Sequence, residues 1–242
     1  MNYKNAMLYT EKFCFEKGAF SVENGKFCNV LGAERDGAVD LGGAYVIPGL
    51  IDVHTHGNSG ADFSDGELVG VEKMAAYLAA NGVTSFAPAS MTLPYETLRK
   101  AFAAARAFVD AKMPNAATLR GIQMEGPFFS EKKKGAQNGA YLRLPDYAAF
   151  DELNRSCGKL VKIVDVAPEL AGAEDFIRQA KRDCTVSMAH TDADYDAAAR
   201  AIAAGATHLT HLYNAMPALH HRKPGTIAAA AEAEQVSAEV IS

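Results

Sequence analysis

The chain has 242 residues, with 24 Lys+Arg against 29 Asp+Glu and a formal net charge of −5. No basic block suggests a nucleic-acid partner: Lys132-Lys133-Lys134, the longest basic run, is of a length ordinary for a solvated loop. Hydrophobic residues make up 49% and charged residues 22%, an ordinary globular composition, and no stretch has membrane-spanning length or the apolar core of a signal peptide.

Residues 1–45 differ in texture from the rest. Ala19-Phe20-Ser21-Val22 and Lys26-Phe27-Cys28-Asn29-Val30 are separated by Glu23-Asn24-Gly25, and Asn-Gly between two such runs is a strong hairpin signal. Gly32, Gly37, Gly42 and Gly43 supply further turns, so this stretch is a small β-rich unit with little core of its own. Cys14, Cys28, Cys157 and Cys184 are scattered without a Cys-x-x-Cys, which indicates neither a disulfide framework nor a zinc knuckle and fits a reduced, cytoplasmic protein.

From residue 46 to 242 strands and helices alternate. Strands are predicted at 50–54, 83–88, 119–125, 160–167, 184–190 and 207–212. In the first intervening helix Leu68, Val71, Ala75 and Leu78 share a face, and Asn81-Gly82 closes it. In the second, Pro94 suits the first turn, and Leu98, Phe102, Ala105 and Val109 form the buried stripe. Later helices are expected at 146–155, 174–182, 194–204 (stopped by Gly205) and 224–234. Repeated βα units predict a parallel sheet with right-handed crossovers. A doubly wound sheet and a (β/α)8 barrel both satisfy that pattern. The barrel is favoured, because polar residues recur at the ends of non-neighbouring strands and closing the sheet brings them round one mouth. Six to seven βα units are present, with Ala238-Glu239-Val240-Ile241-Ser242 resembling the start of a seventh strand, so the barrel is expected to be truncated.

The candidate site begins at His54 and His56, at the end of an apolar strand and before a Gly-rich turn. Side chains two apart on a strand project to the same face, and neutral imidazole is a favoured ligand for zinc, iron and nickel. Glu125 closes the third strand, where a carboxylate is costly to bury unless paired or metal-bound. His190 ends the fifth. His208 and His211, three apart, should face opposite sides of the sixth; His211, nearer the carboxyl end, is assigned to the site and His208 to structure. His54, His56, Glu125, His190 and His211 thus offer nitrogen and oxygen ligands without thiolate, suited to one or two divalent ions such as zinc or iron and to metal-assisted hydrolysis.

Three motifs carry a family resemblance. Pro48-Gly49-Leu50-Ile51-Asp52-Val53-His54-Thr55-His56-Gly57 resembles the opening strand of the amidohydrolase superfamily. Met124-Glu125-Gly126-Pro127-Phe128-Phe129 with Lys133-Lys134-Gly135-Ala136-Gln137-Asn138, and Thr210-His211-Leu212-Tyr213-Asn214-Ala215-Met216, are more selective and resemble the N-acetylglucosamine-6-phosphate deacetylase family. That resemblance implies a metal on Glu125, His190 and His211, a second metal position at His54 and His56, and contacts to a phosphorylated amino sugar at Ala136, Gln137, Asn214, Ala215 and Arg222. It also implies a possible homodimer. Arg222 has independent support as a cation ahead of a predicted helix, where phosphate is readily held. Where the family usually has histidine this chain has Gln137. The family's catalytic aspartate is expected beyond Ser242, leaving no catalytic acid/base within the chain. Alternatives are an amidohydrolase acting on a cyclic amide or N-acyl amino acid, and an inactive metal-binding fragment.

Overall fold

The computed structural model describes residues 1–241, which pack as two compact units, Met1–Leu50 and Ile51 onward. In the first, β1 (Asn2–Tyr9), β2 (Phe15–Glu23), β3 (Lys26–Gly32) and β4 (Val39–Asp40) form a sheet in the order β3-β2-β1-β4, and β5 (Tyr45–Val46) also pairs with β1. The predicted hairpin is present. Asn24 and Gly25 both have positive φ (51° and 73°), the backbone that a two-residue turn demands, and Glu23 pairs with Lys26 across it. The core of this unit is small, built on Ala6, Leu8 and Phe20, with Tyr3 stacked on Phe20 at 4.8 Å.

The second unit follows the predicted alternation. β6 (Leu50–Thr55) leads into a short hairpin, β7 (Gly57–Asn58) and β8 (Ala61–Asp62). Then come α1 (Leu68–Ala80), β9 (Val83–Pro88), α2 (Tyr95–Ala111), β10 (Thr118–Leu119), β11 (Ile122–Met124) and α3 (Tyr147–Ser156). The remainder is β12 (Val161–Val166), α4 (Ala173–Ala180), β13 (Thr185–Met188), α5 (Tyr195–Ala204), β14 (His208–Leu209), α6 (Gly225–Ala231) and β15 (Ser237–Ala238). One run of strands is β10-β9-β6 and the other β11-β12-β13-β14-β15, with a parallel bridge between Ala89 and Gln123 joining them. Spatial order therefore follows chain order. A doubly wound sheet would reverse direction at a switch point; this is the α/β-barrel arrangement.

Departures from expectation have local causes. The third strand breaks at Arg120-Gly121 because the chain changes partners there: Arg120 N–H donates to Phe86 on β9, whereas Ile122 N–H donates to Leu160 beside β12. Pro94 sits at the N-cap of α2 rather than in its first turn. Asp146 and Asp194 are N-caps of α3 and α5, accepting from Ala148, Ala149 and Ala197 N–H groups. The last helix stops at Ala231, short of the expected 234.

Helices α1 and α2 bury the faces their spacing marks, with Val71, Ala75 and Leu78 on one and Leu98, Phe102 and Ala105 on the other. Phe102 is fully buried and stacks on Phe63 with ring centroids 6.4 Å apart. Phe102→Ala should lower unfolding free energy by about 3–5 kcal/mol, since the cavity adds to lost transfer energy. Urea unfolding followed by circular dichroism reads this; a loss below about 1 kcal/mol would mean the site collapses around the deletion.

Candidate metal centre

Glu125 follows β11 at the carboxyl end of the sheet, two residues past the buried Gln123 and on the same face. The next residue, Gly126, has φ 93° and runs against Thr92, whose hydroxyl occupies the space a Cβ would need; only glycine fits there. The Glu125 side chain is 2% exposed. Four imidazoles surround it, divided between its two oxygens. Oε2 lies 3.0 Å from His56 Nε2 and 3.5 Å from His54 Nε2. Oε1 lies 2.9 Å from His190 Nε2 and 3.3 Å from His211 Nε2.

The histidines reach this point by two routes. His54 lies within β6 and His56 just beyond it, so period-two alternation aims both the same way, with Nε2 atoms 3.4 Å apart. His190 and His211 stand in turns beyond β13 and β14, with φ 43° and 34°, in the left-handed region that non-glycine residues seldom adopt. Such strain is tolerated where surroundings hold it, and it clusters at functional sites. Their Nε2 atoms are 3.1 Å apart, and Phe129 stacks on His190 at 4.4 Å.

Three of the four rings are oriented through Nδ1. His56 donates to the Ala89 carbonyl (3.2 Å), His190 to the Lys133 carbonyl (2.9 Å) and His54 to the Glu239 carboxylate (2.9 Å). A proton on Nδ1 leaves a lone pair on Nε2 in the neutral ring. Three such lone pairs and a carboxylate then face one another, an arrangement that repels itself unless a cation occupies the centre. Among the described residues the buried Glu125 Oε2 has no aligned hydrogen-bond partner. A divalent ion fits this donor set. Two triads, His54–His56–Glu125 and Glu125–His190–His211, each bring their ligand atoms within 4.8 Å of one another.

Without an ion, the His54 imidazolium takes the cation's place. Burial would push Glu125 up, but hydrogen bonds with His190, His211, His54 and His56 overcome it and hold the carboxyl far below its ordinary range. Burial would pull the His54 imidazolium down, and the Glu125 and Glu239 carboxylates push it up instead. Below the cluster lies a buried polar layer: Gln123 donates to Asp165 and Thr210, and Thr210 donates to Asp165 at 3.0 Å. Burial first, then the charges of Glu125 and Glu239, raise the Asp165 carboxyl well above its ordinary range.

The amidohydrolase family profile matches residues 45–233. The chain belongs to the amidohydrolase family. It is 34% identical over 250 residues to the N-acetylglucosamine-6-phosphate deacetylase of Bacillus subtilis (strain 168), an alignment covering 99% of this chain and 62% of the relative. It is 41% identical over 194 residues to the Homo sapiens protein of the same name, covering 78% of this chain and 47% of that one. A solved structure of a Mycobacterium smegmatis N-acetyl-D-glucosamine-6-phosphate deacetylase variant, in complex with N-acetyl-D-glucosamine-6-phosphate, superposes with a TM-score of 0.88. It is 30% identical and matches 99% of this chain and 62% of that one. The chain thus spans about 47–62% of the length of these relatives.

Of the predicted site residues, the structure brings His54, His56, Glu125, His190 and His211 to one point. His208 lies outside the cluster; the expected opposition of His208 and His211 across one strand does not arise, because β14 ends at Leu209 with His211 in the turn beyond it, and His208 bonds to Glu239, which bonds to His54. Sequence reasoning gave Glu239 no role. Gln137 is buried, its Oε1 accepting the Thr92 N–H at 2.6 Å and its Nε2 meeting the Met91 sulfur at 3.8 Å. Ala136 and Asn214 are exposed, and the Ala215 carbonyl accepts the Thr191 N–H. Arg222 is exposed and lines a separate cavity of about 520 Å³.

Glu125→Gln keeps the shape of the side chain and removes the charge shared by both triads. Zinc or iron retained after dialysis, measured by mass spectrometry, should fall by more than the roughly 10–100-fold that loss of an outer partner costs. Unchanged metal content would exclude Glu125 as a ligand.

Proposed function

We propose that this chain carries the metal site and sugar-phosphate contacts of a metal-dependent deacetylase that removes the acetyl group from N-acetylglucosamine 6-phosphate. The observation that carries the proposal is the division of the Glu125 oxygens between two histidine pairs at the strand ends. The relatives and the sugar-phosphate complex support the substrate class. His54, His56 and Glu125 would hold one ion, and Glu125, His190 and His211 another, zinc or iron by donor type. An ion bound there would lower the pKa of water to about 7 and polarise an amide carbonyl. The chain's own side chains orient the imidazoles and receive the sugar.

Arg222 supports the phosphate contact. Among the described residues its guanidinium has no ion pair; of the three carboxylates lining the same cavity, Asp192 is engaged by Lys132 at 2.9 Å and Asp194 by the Ala197 N–H at 2.8 Å, Asp196 is the third, and Lys223 adds a second cation. A guanidinium without an ion pair can hold a phosphate through two parallel N–H donors. Gln137 contributes a neutral donor through Nε2, with Ala136, Asn214 and Ala215 completing the proposed contacts. A cytoplasmic setting is part of the proposal and accords with four free cysteines.

A second reading, ligand binding without hydrolysis, draws on the carboxylates near the cluster. Glu125 faces the four imidazoles, Asp165 lies in the buried polar layer, and Glu239 is engaged by two histidines. All three are engaged by side chains of the cluster or of the buried layer. Calorimetry and an acetate assay on the metal-loaded protein separate the readings. The sugar phosphate should bind more tightly than unphosphorylated N-acetylglucosamine, and Arg222→Ala should erase about 10–100-fold of that preference. Acetate release that a chelator abolishes establishes the hydrolase; binding without release establishes the second reading. Equal affinity for both sugars would overturn the sugar-phosphate assignment.

A further inference from the structure

We infer that Glu239, backed by His208, is a positioning residue for the His54 half of the metal centre. This rests on the metal-binding reading above and adds a part to it. Glu239 stands one residue beyond β15, its backbone pinned by hydrogen bonds to Leu209 and Leu212 of the neighbouring strand and turn. Its side chain is 7% exposed and uses both oxygens: Oε2 accepts from His54 Nδ1 at 2.9 Å, and Oε1 from His208 Nε2 at 3.0 Å. His208 is placed in turn by Ser237, which is its register partner across β14 and β15 and whose hydroxyl lies 2.7 Å from His208 Nδ1. A line of contacts thus runs from Ser237 through His208 and Glu239 to His54.

The acceptors behind the clustered imidazoles are not equivalent. His56 and His190 lean on neutral backbone carbonyls, and the buried His211 Nδ1 has no partner among the described residues. His54 alone among the four has a carboxylate behind it. A carboxylate accepting from Nδ1–H fixes the tautomer and the ring plane, and makes Nε2 a stronger donor to a metal than a carbonyl does. Glu125 gives one oxygen to each pair, so the extra negative charge belongs to the His54–His56 half. Glu239 therefore biases occupancy toward that half, and His208 holds the carboxylate where its second oxygen would otherwise be buried without a partner.

The test is a double-mutant cycle read by calorimetric titration of the metal-free protein with cobalt(II), which needs no turnover. Glu239→Gln retains an acceptor for His54 but loses the charge, and its amide N–H pairs with His208 once that ring takes the Nδ1–H tautomer and donates to Ser237; it should weaken cobalt binding by about 10–100-fold. In a His54→Ala background the same change should have no further effect, because the carboxylate acts through that ring. An equal loss in both backgrounds marks a merely structural residue and overturns the inference, as does unchanged affinity in the single variant. Urea unfolding checks that each variant is folded. Should Glu239→Gln fail to fold, His208→Gln carries the same cycle, with a smaller loss expected that again vanishes in the His54→Ala background. Absence of cobalt binding by the unmodified chain would overturn the metal-centre reading itself; cobalt binding indifferent to Glu239 would overturn this inference alone.

Discussion

A carboxylate at 2% exposure sets the terms for everything around it. Burying Glu125 uncompensated would cost several kcal/mol, far more than a marginally stable domain can spare at one position. Compensation must come from groups that are themselves held in place. The strand ends supply them: β6 delivers two imidazoles by its period-two pleat, and the turns after β13 and β14 deliver one each. Parallel strands separated by helices put these termini at one end of the sheet although the residues are up to 157 positions apart in sequence, from His54 to His211. The helices serve the site indirectly, by covering the sheet so that its carboxyl end is the part left to do chemistry.

The two halves of the cluster are built differently. His54 and His56 sit at the end of a regular strand, where orientation costs no backbone strain and the rings are steered from behind by Glu239 and Ala89. His190 and His211 occupy left-handed backbone, so their placement is maintained by the surrounding loop contacts, including Ser130 N–H on the His190 carbonyl and Phe129 on its ring. Electrostatic support dominates one half and steric support the other. The buried layer of Gln123, Asp165, Ser187 and Thr210 is common to both, and it closes the interior with side chains whose hydrogen bonds are mutual.

Much of this was legible in the sequence because its signals are local. Asn24-Gly25 carries its own turn geometry, helix faces repeat at i, i+3 and i+4, and a His-x-His pair at the end of an apolar strand projects to one side wherever that strand lies. The choice of His211 over His208 rested on alternation along a strand, whereas β14 ends at Leu209 and His211 stands in the turn beyond it. What was illegible depends on pairing at a distance. Glu239 reads as an ordinary polar residue in Ala238-Glu239-Val240, and only the β14–β15 register brings it between His208 and a histidine 185 positions earlier. The split between β10 and β11 is likewise a matter of which neighbour each half of the strand meets, information that periodicity does not contain.

Gln137 shows where a motif and its physics part company. Read as a variant of a histidine position, it invites comparison of what each side chain could give a ligand. Its first commitment is internal: Oε1 takes the Thr92 N–H at 2.6 Å, tying the 135–138 turn to the segment that follows β9, beside Gly126. Imidazole could accept that N–H only through an unprotonated nitrogen, so the tie would weaken as pH fell through the ordinary histidine range near ~6.5. An amide has no such transition. With glutamine the loop is held to the segment after β9 at any pH the fold survives, and the remaining Nε2 is a permanent neutral donor. Glutamine therefore makes a constant contact where an imidazole would make a titratable one.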